Sequence, residues 1–175
     1  LAELRVRVIR QTEDRAFVLN RSLLPLQSAC LRALADGVSP ADVDRASRSG
    51  LLPTGQLALM DAVGLPTVLA AVRAFRGRML ADPPDDLAPL ERGLATLVEK
   101  GKRGRANGAG LLIGQPLPWG VRPDSPTAEQ LRPVLARVLD EALGRLATRE
   151  SIPPGELRSA LAAVYGGDPS ERGPG

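Results

Sequence analysis

From residue 17 onward the apolar positions recur every three to four residues, the spacing that gathers side chains on one face of an α-helix. Leu23, Leu26, Cys30, Leu31 and Leu34 make the first such stripe, and Gly37 stands where a helix stops. Pro25 interrupts the stripe, which predicts a kink or a restart. Ser39-Pro40-Ala41-Asp42 reads as an N-cap, a first-turn proline and a carboxylate near the positive end of a second helix, closing around Gly50. A short helix over 57–63 is followed, after Gly64, by a longer one with Val68, Leu69, Val72, Phe75 and Met79 inward. Residues 81–86 form a loop, and Pro89 to Glu99 form a helix burying Leu90, Leu94, Leu97 and Val98. Thr127 or Ser125 caps a long helix to about Thr148, with Leu131, Val134, Leu135, Val138, Leu139, Leu143 and Leu146 on its apolar side. Pro153 and Pro154 open a last helix through Val164. Only Leu4 to Ile9 depart from this period, alternating apolar and basic side chains like a half-exposed strand, although a frayed N-terminal arm fits equally well. The expected fold is all-α, an antiparallel helical domain with at most a short N-terminal strand.

Proline and glycine divide the chain. Residues 1–14 read as a strand or connector, 15–113 as a helical domain, 114–126 with four prolines as a linker, 127–165 as a helical pair and 166–175 as a tail. Gln27-Ser28-Ala29 aligns on Asp140-Glu141-Ala142, and residues 38–43 align on 152–157 after one inserted residue. The pair over 127–165 is therefore either a shortened second copy of the first helices or an ordinary amphipathic pair that aligns by pattern alone.

Composition removes several function classes. With 175 residues, 43% of them hydrophobic, the chain can bury a core. It has no apolar run near the ~20 residues of a membrane span and no basic-then-apolar leader, so a cytoplasmic protein with no membrane partner is expected. A single cysteine excludes an internal disulfide or a thiolate metal site, and Cys30 falls within a helical stripe as a core thiol. The chain contains no histidine, which removes the commonest general base. The net charge is only +3 and Lys100 and Lys102 are the only lysines. Aromatic residues, at 2%, are too few to stack the bases of a single strand, so no nucleic-acid partner is expected.

Two motifs carry more information than the composition. Ala16-Phe17-Val18-Leu19-Asn20-Arg21 is followed by Leu52-Pro53-Thr54-Gly55-Gln56-Leu57 and Asp61-Ala62-Val63-Gly64-Leu65. In this order they resemble the substrate-side helical domain of 3-hydroxyacyl-CoA dehydrogenases. That domain opens with Gly-Phe-apolar-apolar-Asn-Arg and continues with Pro-x-Gly-Pro-Phe and Asp-x-x-Gly-Leu. The resemblance covers Arg5 to Leu112 and extends faintly to Val164. It implies NAD-dependent interconversion of a 3-hydroxyacyl-CoA and its 3-oxoacyl-CoA, of the fatty-acid β-oxidation type. An acyl-CoA would be the substrate, NAD would be bound by a domain absent from this chain, and residues 1–14 would be the connector from that domain. A homodimer is implied as well, with self-association expected through the apolar faces around Leu23 to Leu34 and Val68 to Met79. A chain without histidine or a Gly-x-Gly-x-x-Gly turn would be inactive by itself.

Asn20 is the one catalytic residue the resemblance carries over. In the family this asparagine faces the reacting carbon, across the cleft from a histidine–glutamate dyad in the nucleotide-binding half. A neutral amide offers two donors and an acceptor, which suits it to holding a substrate oxygen beside a base. The alternative is an asparagine that caps the backbone of its own helix. Ala16 replaces the family's glycine, and Gln56 and Leu57 replace the proline and phenylalanine of the acyl-pocket wall. Either the pocket is reshaped or this copy is a non-catalytic helical scaffold descended from the fold. Asp61 is expected to cap the helix that follows, and Gly64 to supply a positive φ. Lys100 through Gly108 resemble the basic, glycine-rich loop that ends the family's domain, with Leu111-Leu112 in place of an aromatic pair. Its charges are either solvated or turned to an anion such as the phosphates of coenzyme A.

Overall fold

The computed structural model describes residues 18–48, 52–79 and 87–165. The expected N-terminal strand, Phe17, Gly50, the loop over 81–86 and the tail over 166–175 lie outside the described residues, as does the side chain of Met79. Among the described residues there are seven α-helices and no strand: α1 Val18–Ala35, α2 Pro40–Ala46, α3 Gln56–Val63, α4 Leu65–Met79, α5 Ala88–Glu99, α6 Ala128–Glu150 and α7 Pro154–Tyr165. The fold is all-α.

α1 forms the centre because it is apolar or small on most of its circumference. Leu23, Leu24, Leu26, Cys30, Leu31 and Leu34 are all buried, and the helix packs against α2, α3, α5, α6 and α7. A single helix runs through Pro25, so the expected restart does not occur. Burial pushes the Cys30 thiol up to about 12, with the nearby Asp44 carboxylate adding to the effect, so it stays neutral and unreactive.

The face of α1 expected to drive self-association is thus covered within the chain. Val68, Leu69 and Val72 of α4 are buried too, and α4 packs on α5. Neither described stripe is free to meet a second copy.

Local capping set most helix ends. The Ser39 hydroxyl accepts a bond of 3.1 Å from the Asp42 amide and itself donates to the Asp42 carboxylate. The other oxygen of that carboxylate accepts from the Ala128 amide at 3.2 Å, so one side chain serves the starts of both α2 and α6. The Gln130 side chain accepts from the Thr127 amide at 2.9 Å, which makes Thr127 rather than Ser125 the start of α6. α2 stops at Ala46, short of the expected Gly50: the Ser47 amide makes the last i→i−4 bond, to the Val43 carbonyl at 3.0 Å, and the Arg48 amide closes a tighter turn onto the Arg45 carbonyl at 3.3 Å.

α1 and α6 end in the same turn. Gly37 and Ser151 both adopt positive φ, 87° and 54°, and the next amide reaches five residues back, Val38 to the Ala33 carbonyl at 2.9 Å and Ile152 to the Ala147 carbonyl at 3.0 Å. Both following residues are buried, which completes a Schellman closure at each site. α6 then packs along α1 and α2, and α7 returns to α1. The intervening residues 114–126 lie against this body: Leu117 and Trp119 pack on the core, the Arg122 amide donates to the Gly37 carbonyl at 2.8 Å, and the Lys102 ammonium donates to the Gln115 carbonyl. Lys102 is thereby buried, and within the basic loop it is Lys100, Arg103 and Arg105 that stay exposed.

Candidate functional site

The first turn of α1, the α3–α4 elbow and the end of α7 enclose an open cleft of about 330 Å³. The elbow exists because Gly64 takes φ of 93°, a value that other residues adopt only under strain. α3 and the first part of α4 meet there at 97°. Leu23, Leu24, Leu59, Met60, Val63, Val68, Ala71 and Phe75 give the cleft an apolar lining, while Asn20, Gln27, Thr67 and Tyr165 supply its polar groups. Such a mixture, mostly hydrocarbon with a few directed polar groups, suits an aliphatic ligand with one polar end.

Asn20 is exposed in the first turn of α1, as the third residue of the helix rather than its cap. The Tyr165 hydroxyl donates to its side-chain oxygen at 3.5 Å. Arg21, one position on, turns inward: it is 2% exposed and its guanidinium meets Glu150 at the end of α6 at 2.6 Å. The α1 turn is therefore clamped from behind while Asn20 is presented in front.

α3 is placed by α2. The Asp44 carboxylate is buried, accepts from the Ala58 amide at 2.9 Å and pairs with Arg48 at 2.9 Å. A side chain at position 55 would collide with that carboxylate, which explains the glycine of Pro53-Thr54-Gly55. Ser47 accepts from the Gln56 amide at 2.9 Å. None of these links was visible as a pattern along the chain.

Asp61 does not cap the following helix as expected. Its buried carboxylate instead accepts from the Leu111 and Leu112 amides at 2.7 and 3.0 Å, fastening the glycine-rich loop to the underside of α3. A carboxylate can reach two consecutive amides where they converge, and here those amides come from a segment fifty residues away. Beside it a second depression, of about 450 Å³, is lined by Asp61, Gly64, Pro66, Arg103 and Asn107 and shares Val63 and Thr67 with the cleft.

The family model of the 3-hydroxyacyl-CoA dehydrogenase C-terminal domain matches residues 17–113. The chain belongs to this family. The match ends at the loop that Asp61 holds, so α6 and α7 lie beyond it.

Within the 3-hydroxyacyl-CoA dehydrogenase domain, two of the departures from the family motifs fall below the cleft, while Ala16 lies outside the described residues. Gln56 and Leu57 are both fully buried and neither lines it. Leu57 is simply core. Among the described residues Gln56 has no hydrogen-bond partner for either amide atom, a state that costs roughly 1–3 kcal/mol. Gln56→Leu, which keeps the backbone amide bonded to Ser47, is expected to stabilise the fold by about 1 kcal/mol. A rise of several degrees in melting temperature would show this; a fall would mean that the amide is satisfied by water.

Proposed function

We propose that this chain is the substrate-side part of an NAD-dependent 3-hydroxyacyl-CoA dehydrogenase, with the apolar cleft receiving the acyl group and Asn20 at its mouth holding the substrate oxygen. The observation that carries this reading is the placement of Asn20: its amide is exposed at the edge of a hydrocarbon-lined cleft rather than folded onto its own helix. A volume of about 330 Å³ lies at the small end of the range for ligand pockets, enough for an acyl group and not for the whole of coenzyme A. Arg103 and Asn107 in the adjoining depression offer polar contacts to the remainder of the thioester. Pairing with a second copy belongs to the same reading and would use a surface other than the buried faces of α1 and α4. The shared Schellman turn supports reading α6–α7 as a shortened second copy of α1–α2.

The described residues are all helical and loop, with no strand leading into a Gly-x-Gly-x-x-Gly turn. They do not fit a dinucleotide, and no histidine is present to act as the base. NAD and the acid–base residue would come from a separate nucleotide-binding domain, and this chain's part is to bind and orient the acyl thioester.

The test is complementation. Purified chain alone is expected to turn over no acetoacetyl-CoA with NADH, and mixing it with the nucleotide-binding half of a 3-hydroxyacyl-CoA dehydrogenase is expected to produce turnover that saturates with the chain. Turnover by the chain alone, or none from the mixture when both parts are folded, overturns the reading.

A further inference from the structure

Tyr165 is the last residue of α7, outside the family match, yet it lines the cleft of the matched domain. It reaches Asn20 across 145 residues of sequence. Its neighbourhood is held on two sides. The Arg21–Glu150 pair fixes the end of α6 to the first turn of α1, and the turn through Ser151 then directs α7 back onto α1.

We infer that Tyr165 is a positioning residue for Asn20, and that the second helical pair serves the first domain's site by supplying it. The inference rests on the dehydrogenase reading given above. A phenol hydroxyl that donates to the Asn20 carbonyl oxygen leaves both N–H donors of that amide directed elsewhere, available to a substrate oxygen in the cleft. Without that contact the exposed amide can turn end for end, and presents its acceptor to the substrate about as readily as its donors. The separation of 3.5 Å is long for such a bond; catalytic hydrogen bonds are commonly long before substrate is bound and shorten in the complex. A phenol is protonated at neutral pH, and burial raises the Tyr165 hydroxyl further above its ordinary range, so it is present as a donor. Tyr165 also lines the same cleft as Phe75 and Val63, so it contributes wall as well as orientation.

The experiment uses the complemented enzyme and Tyr165→Phe, which removes the hydroxyl and keeps the ring. Turnover of acetoacetyl-CoA is expected to fall about three- to ten-fold with KM nearly unchanged, the effect of one neutral hydrogen bond. In an Asn20→Ala background the same substitution is expected to have no further effect, because a residue that acts through Asn20 has nothing left to position. Additive losses in the double variant, or an unchanged kcat in the single one, overturn the inference. A separate readout needs no turnover: the side-chain amide signals of Asn20 in the isotopically labelled chain are expected to shift and broaden in Tyr165→Phe while the melting temperature holds. Unchanged signals overturn the inference whatever the enzyme does. Shifted signals in a complemented enzyme that never turns over uphold the contact and overturn the dehydrogenase reading instead.

Discussion

Replacing Glu150 by alanine is expected to cost about 3–5 kcal/mol of folding stability, the largest effect of any single substitution considered for this chain. The side chains of Arg21 and Glu150 are only 2% and 4% exposed, and they meet at 2.6 Å. The Nε of Arg21 is already without a partner among the described residues. Removing the carboxylate leaves a guanidinium in the interior with neither a counter-charge nor water, and arginine cannot escape by losing its proton. Exchanging both partners for apolar residues, Arg21→Met with Glu150→Leu, is expected to recover most of the loss, since the pair's attraction offsets its own desolvation more than it adds net stability. Chemical denaturation of the two variants beside the parent chain measures this directly. A loss below about 1 kcal/mol in Glu150→Ala, the range of exposed pairs, would show that solvent reaches the guanidinium and that α6 is not locked to α1 through it.

The second large effect concerns chemistry. In the complemented enzyme Asn20→Ala is expected to lower turnover about thirty- to several-hundred-fold, corresponding to roughly 2–4 kcal/mol of transition-state stabilisation. The amide is asked to donate to an oxygen whose charge grows as the reaction proceeds, and a donor already in place stabilises that charge without reorganising. Stability should scarcely change. Asn20 is exposed and sits inside the helix, so it does not serve as the N-cap whose loss would cost ~1 kcal/mol. Melting temperature and turnover measured on one preparation separate the two roles: a lower melting temperature with unchanged turnover per folded molecule would return Asn20 to a structural part and remove the candidate catalytic residue.

Both predictions involve neighbouring residues that face in different directions. Asn20 and Arg21 are adjacent in the chain, and a helix turns about 100° per residue, so one can look into the cleft while the other reaches the interior. The resemblance to the family singled out the asparagine. It gave no reason to expect that the arginine would be nearly inaccessible, because its partner lies 129 residues away.

The sequence by itself determined the helices and where most of them begin and end. Ser39-Pro40, Gly37 and Gly64 act through their own backbone neighbourhood, and such signals are complete within four or five residues. The fold class followed from the same period of apolar positions, and the family followed from short ordered motifs around Asn20 and Gly64. Tertiary structure decided the rest, wherever a side chain's partner came from a distant segment. Asp61 had the local signature of a cap and spends its carboxylate on Leu111 and Leu112. The stripe of α1 had the pattern of a surface for a second copy, but α5 and α6 of the same chain cover it. Lys102 had the pattern of a solvated loop charge and lies buried against the Gln115 carbonyl. Tyr165, unremarked along the chain, stands beside Asn20. Periodicity states which face of a helix is apolar and which residues are polar; it carries no information about which other segment will arrive to meet them, because that depends on how the helices together bury the most hydrocarbon while leaving the fewest polar groups without partners.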